Sequence, residues 1–189
     1  GDRRRHDLEV ILQTADGGAA YYRRRIGFRR VVVLGNQLLV NGAPIRLMGV
    51  NRHDARMRTG RSMRYEDLRH DVLALRQANV NIIRTAHYPA DPRLLDLCDE
   101  LGMYVQDQMP ICFAAGFDDH HWTRTNYAAH LVPIVREVPA ETGGRARCPP
   151  SVIFWALAHH HPLPVGLHVQ LALCRQFATL RPPSVSVAP

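Results

Sequence analysis

The stretch NIIRTAHYPADPRLLDLCDELGMYV, Asn81 to Val105, reads as strand, loop, helix and strand, with polar residues gathered where the first strand ends. A short apolar run, Val80 to Ile83, gives way to Arg84, His87 and Tyr88, and Pro89 then blocks further pairing. Asp91 stands as a helix N-cap with Pro92 in the first helical position. Leu94, Leu95, Cys98 and Leu101 recur at helical spacing until Gly102 stops the helix. The polar groups at the strand end are placed to face a ligand.

The same unit can be traced outward in both directions. Ile45 to Asn51 reads as a strand ending in Asn51-Arg52-His53-Asp54, and Tyr65 to Gln77 as an amphipathic helix with Leu68, Val72 and Leu75 inward. Met103 to Asp107 is the next strand and Val152 to Leu157 a buried one; Leu167 to Phe177 reads as a helix, and Ser184 to Val187 opens a further strand. Such alternation implies an α/β fold with a parallel sheet. Four or five units with chemistry at the carboxyl ends of the strands suggest the first half of a TIM (β/α)8 barrel, with a doubly wound sheet as the alternative. Upstream, Asp7 to Gln13 and Tyr21 to Val33 read as two strands around an Asp16-Gly17-Gly18 turn.

These motifs resemble glycoside hydrolase family 2, the family of β-galactosidases and β-glucuronidases. NIIRTAHYP resembles the signature of its second barrel strand, and GVNRHD, Gly49 to Asp54, is similar to its first, usually GVNRHE. LLVNGAPIRLMGVN resembles the run into the barrel, RRIGFRRVVV the strand closing a preceding sandwich domain, and SVIFWAL, Ser151 to Leu157, the fourth barrel strand. The resemblance implies two domains: 1–33 as the last strands of an immunoglobulin-like β-sandwich, and 34–189 as the N-terminal half of a barrel. It also implies a retaining β-glycosidase acting on terminal β-linked sugars. His53 and His87 would contact sugar hydroxyls, Arg84 would orient neighbouring carboxyl groups, and Asp54 would support His53.

The departures from that pattern are specific. The family's fourth strand ends in Asn-Glu, the Glu being the general acid/base; here His159 and His160 follow Ala158, and His160 stands in the glutamate's place. The third strand's usual DEANIETHG, which supplies magnesium ligands in some members, is replaced from Asp107-Gln108-Met109-Pro110 onward, so no magnesium cofactor is expected. Asn-His-Pro-Ser becomes Cys148-Pro149-Pro150-Ser151. The family's nucleophilic glutamate belongs to a later strand than this chain reaches. Retaining hydrolysis needs two carboxyl groups about 5 to 5.5 Å apart, so the chain alone is expected to be inactive.

Length agrees, since 189 residues suffice for a core but fall short of the roughly 250 of a closed barrel. An open half barrel would expose strand edges and should associate or need its missing half. The chain begins Gly-Asp-Arg-Arg-Arg-His without a methionine, which reads as truncation. No apolar run is long enough to span a membrane and no signal peptide is visible, so a cytoplasmic protein with no membrane partner is expected. Four cysteines, Cys98, Cys112, Cys148 and Cys174, show neither metal spacing nor a disulfide framework, and read as buried thiols.

All 24 basic residues are arginine and the net charge is +7; a GC-rich coding bias accounts for arginine in place of lysine, with selection of arginine for phosphate or carboxylate forks as the sharper alternative. The arginines are dispersed and not interleaved with aromatic residues, so no nucleic-acid partner is expected. The expected partner is a β-linked carbohydrate, with the parent protein open to homo-oligomerisation. Met57 to Arg64 reads as a strand-to-helix connection, and Phe113 to Thr125 as a loop that could stack a sugar on Trp122, although an indole there is also an ordinary packing anchor. Pro139 to Pro150 reads as a loop. His159 joins His53, Asp54, Arg84, His87 and Trp122 as a candidate sugar contact, while Asn51 and Asp107 stand between structural and site roles. Two rival readings remain: a sugar-binding pseudoenzyme that keeps the rim, and a zinc-binding module built from His53, His87, His120, His121, His159 and His160. Adjacent histidines at a strand end point to opposite faces, which weighs against zinc.

Overall fold

The computed structural model describes residues 5–108 and 149–156. The expected helix from Leu167 and strand from Ser184, together with Trp122, His159 and His160, lie outside the described residues.

A hairpin comes first, β1 (Arg5–Gln13) against β2 (Ala19–Gly27), followed by a meander of β3 (Val31–Leu34), β4 (Gln37–Val40) and β5 (Ala43–Ile45). Asn41 and Gly42, both at positive φ (52° and 80°), form the two-residue turn between β4 and β5, the conformation whose twist matches a hairpin. Then come β6 (Gly49–Arg52), α1 (Tyr65–Gln77), β7 (Ile82–Thr85), α2 (Pro92–Leu101), β8 (Tyr104–Gln108) and β9 (Val152–Ala156). The last four strands make one parallel sheet in the order β6-β7-β8-β9. Each strand adds to the same edge as its predecessor. A doubly wound sheet reverses its order at a switch point, whereas the described strands run in sequence order, the order of a barrel.

The helices form one layer on one face of this sheet. Leu68 and Val72 of α1 meet Leu94, Leu95, Leu97 and Cys98 of α2 in a core that includes Ile83, Val105 and Val152 from successive strands. Leu75 and Leu101 pack at its edge. Ile82 and Ile153 instead pack with Val31 and Val40 of the meander. The meander, through Val31, Leu38, Val40 and Ile45, therefore covers part of the sheet away from the helix core. A domain boundary between residues 33 and 34 would fall inside β3.

Helix ends follow local rules. Asp91 caps α2 by accepting the Arg93 N–H at 2.9 Å, and Gly102 closes it in the left-handed region with φ 72°. Asn79, at φ 60°, closes α1 in the same manner.

Two strands expected as continuous are divided. Tyr21 to Val33 breaks at Phe28–Arg30, because β2 pairs with β1 whereas β3 pairs with β4. Ile45 to Asn51 breaks at Arg46–Met48, where the chain passes from the meander into the parallel sheet. The Asn81 side chain holds that passage: its Oδ1 accepts the Met48 N–H at 2.7 Å and its Nδ2 donates to the Arg46 carbonyl at 2.7 Å. At the start of β6, Gly49 lies so close to β7 that a Cβ would sit 2.6 Å from Ile82 Cγ2.

Candidate functional site

The carboxyl ends of β6, β7 and β8 bring Arg52-His53-Asp54, Ala86-His87-Tyr88 and Gln108 together. The His53 and His87 rings meet edge to face with centroids 5.2 Å apart, and the Tyr88 ring lies 6.4 Å from His53. These two histidines are 34 residues apart in sequence, and parallel pairing of Arg52 with Thr85 aligns the strand ends from which they project. His53 is exposed and His87 half-buried. His87 Nδ1 lies 3.1 Å from Gln108 Oε1.

Asp54 departs from expectation. Its carboxylate is bound by Arg52 instead of by His53, and its backbone N–H donates to the Tyr88 hydroxyl at 2.8 Å. The cause is the burial of Arg52, whose side chain is only 8% exposed and whose charge must be matched. Asp71 of α1 supplies the second match, accepting from Arg52 Nε at 3.2 Å and Nη2 at 3.0 Å. Arg56 closes the cluster on the other Asp71 oxygen and donates to the Asp67 carbonyl at 3.1 Å. Burial opposes the Arg52 charge, yet hydrogen bonds and attraction from Asp54 and Asp71 outweigh it and hold the guanidinium above its ordinary pKa. This cluster, which locks α1 to the segment carrying His53, was missed in sequence reading. Its signal was present: Asp67 and Asp71 sit four residues apart on α1, each beside an inward apolar residue, Leu68 or Val72.

Arg84 lies in β7, paired with Asn51 and Gln106, and alternation puts it on the opposite face from Ile83 and the helix core. Asn51 is exposed. Asp107 has a structural role: one oxygen accepts from the Thr85 hydroxyl at 3.0 Å and from the Ala90 N–H at 3.1 Å, pinning the loop after β7. Burial pushes its carboxyl up, opposed by those hydrogen bonds. In the β6–α1 connection, Arg56 and Gly60 exchange backbone hydrogen bonds, and the Arg61 guanidinium lies over the Tyr88 ring at 4.7 Å. Among the described residues, no group of three or more His, Cys, Asp or Glu could hold a metal; His120, His121, His159 and His160 lie outside them. No described helix is long and apolar enough to cross a membrane.

A family model for the TIM barrel domain of glycosyl hydrolases family 2 matches residues 31–182. The chain belongs to glycoside hydrolase family 2. A family β-galactosidase from Photobacterium profundum is 32% identical over 164 residues, covering 84% of this chain and 15% of that protein. Another from Pseudoalteromonas haloplanktis is 46% identical over 86 residues, covering 46% of this chain and 8% of that protein. Among solved structures, a β-D-glucuronidase from Dictyoglomus thermophilum superposes with a TM-score of 0.82 at 26% identity, covering 96% of this chain and 32% of that one. The Ruminococcus gnavus β-glucuronidase complex with D-glucuronic acid gives 0.76 at 23% identity, a likeness of fold. The match thus spans about a seventh of the length of the first of these β-galactosidases. Family 2 membership accounts for an α/β chain with sequential parallel strands and polar strand ends.

Proposed function

We propose that these 189 residues are the sugar-gripping part of a retaining β-glycosidase, and that they bind a β-linked glycoside without hydrolysing it on their own. The observation that carries this reading is the meeting of His53 and His87 at one rim in a family 2 chain. Two imidazoles at the carboxyl ends of neighbouring parallel strands can exchange hydrogen bonds with adjacent hydroxyls of one sugar ring. Arg84, on the sheet face away from the helix core, would orient carboxyl groups contributed by other strands. Asp54 serves indirectly, by holding Arg52 and Tyr88 in place. His159 and Trp122 complete the proposed sugar contacts.

The reading of inactivity in isolation is supported by His160 in the acid/base position, since retaining hydrolysis needs a pair of carboxyl groups. An imidazole can give a proton to a leaving oxygen, but it does not supply the second carboxylate. A pseudoenzyme would use the same rim in the same way, and the histidine at position 160 is the observation favouring it.

The test is binding of methyl β-D-galactoside and methyl β-D-glucuronide, followed by NMR of the imidazole resonances. Saturable shifts at His53 and His87, abolished in His53→Ala and His87→Ala, are expected. Binding that survives both substitutions, or shifts that only zinc produces, would overturn the reading. Replacing His160 by Glu is expected to leave hydrolysis of an aryl β-galactoside undetectable, and turnover by that variant would show that a nucleophile is present in this chain.

A further inference from the structure

We infer that Tyr88 is a positioning residue that acts through His53: its hydroxyl holds the backbone just after that histidine and so sets how far apart the two rim imidazoles stand. The inference rests on the reading that His53 and His87 meet the sugar, and it concerns what fixes the spacing with which they do so.

The ladder between β6 and β7 ends just short of the two histidines. Arg52 pairs with Thr85, and the Arg52 carbonyl accepts the Ala86 N–H at 2.9 Å. In a continuing parallel ladder the next rung from β6 would carry the Asp54 N–H to a main-chain carbonyl of the neighbouring strand. Here that N–H donates to the Tyr88 hydroxyl at 2.8 Å, and the same hydroxyl faces the Asp54 carbonyl at 3.5 Å. His53 and His87 therefore lie between a main-chain tie, Ala86 to Arg52, and a side-chain tie, Asp54 to Tyr88. A phenol reaches farther from its own backbone than a carbonyl does, so the second tie holds without closing the two chains to ladder spacing. The two imidazoles meet in that interval, with centroids 5.2 Å apart.

The tyrosine is itself held. The Arg61 guanidinium lies 4.7 Å over its ring, and the His53 ring stands 6.4 Å away at 61°. Pro89 follows with its restricted φ, and the Ala90 N–H is anchored on the Asp107 carboxylate at 3.1 Å. Across the tie, the Asp54 carboxylate is bound by Arg52. One hydroxyl thus joins two anchored turns. Deleting it takes the acceptor from the half-buried Asp54 N–H and frees the residue next to His53 to move. A phenylalanine would fill the same space under Arg61, so the hydroxyl is the part that does the positioning.

The experiment is Tyr88→Phe in the 189-residue chain, which keeps the ring and removes the hydroxyl. Without sugar, amide hydrogen exchange follows Asp54, and nuclear Overhauser contacts follow the His53 and His87 ring protons, assigned by their loss in His53→Gln and His87→Gln. Urea denaturation gives stability, and titration with methyl β-D-galactoside gives affinity. In the unsubstituted chain the Asp54 amide should be protected and the two rings in contact. Tyr88→Phe should speed Asp54 exchange at least about tenfold, weaken the ring contact and lower the affinity about tenfold. A hydroxyl with a merely structural role would lower the urea midpoint and leave the folded chain's affinity and ring contact unchanged, and that result would overturn the inference. So would an unprotected Asp54 amide in the unsubstituted chain, the measurement that decides the matter if Tyr88→Phe does not fold. If the substitution displaces His53 and the unsubstituted chain does not bind the glycoside, the hold of Tyr88 on His53 stands and the sugar-binding reading fails.

Discussion

Replacing Asp71 by Asn is expected to destabilise the chain by about 2 kcal/mol, whereas the same change at Asp67, one helical turn earlier, should cost under about 1 kcal/mol. Both residues face arginines from α1, and they differ in burial and geometry. Asp71 receives two hydrogen bonds from Arg52, whose side chain is 8% exposed, and a further one from Arg56. Asp67 reaches Arg56 only at 3.8 Å, with both side chains about a third exposed. Removing one partner of a buried pair generally costs about 3 to 5 kcal/mol because a charge is stranded. Here the cost is smaller, since Asp71 is itself 26% exposed and Arg52 keeps Asp54. Urea denaturation at pH 7, at low and high salt, reads both values, and the Asp71 effect should persist in salt while the Asp67 effect fades. In an Arg52→Met background the cost of Asp71→Asn should fall by at least about 1 kcal/mol, the mark of a direct coupling. Equal losses below about 0.5 kcal/mol at both positions would refute the buried-cluster account.

Three further outcomes follow from other parts of the structure. Asp99 accepts the Ser151 N–H at 2.8 Å, but burial pushes its carboxyl up to about 6 from 3.8. Because the folded state binds this proton more tightly than the unfolded one, the group's contribution falls as pH rises from about 4 through about 6. Asp99→Asn keeps an acceptor and should therefore stabilise the chain by about 1 to 3 kcal/mol at pH 8 and hardly at all at pH 4; equal gains at both would refute this. Burial pushes the Cys98 thiol up to about 12, so mass spectrometry should find it unmodified by iodoacetamide at pH 8 until urea unfolds the chain. Gly49→Ala should cost about 1 to 3 kcal/mol in the same urea assay, since its methyl would press on Ile82, and a neutral result would show that β6 and β7 can separate freely.

Much of this molecule was legible from residue order alone, and the legible parts are local. The α2 boundaries were marked by Asp91, Pro92 and Gly102, whose roles depend only on neighbouring backbone geometry. The inward stripe of α1 followed from helical spacing, and the motifs around His53 and His87 identified the family. The breaks at Phe28–Arg30 and Arg46–Met48 were not legible, because a strand ends where its partner ends and pairing partners are distant in sequence.

The rim shows the same division. Sequence by itself determined that His53, Arg84 and His87 fall at or just beyond strand ends, since apolar runs and Pro89 mark those ends. Only the tertiary structure decided that the two imidazoles lie 5.2 Å apart, that Asp54 turns to Arg52, and that Asp71 and Gln108 stand behind them. The physical reason is the cost of burying charge and polarity. Arg52 and Gln108 are buried only because chains remote in sequence fold over them, and their partners are whichever acceptors and donors the packed strands and helices bring within reach.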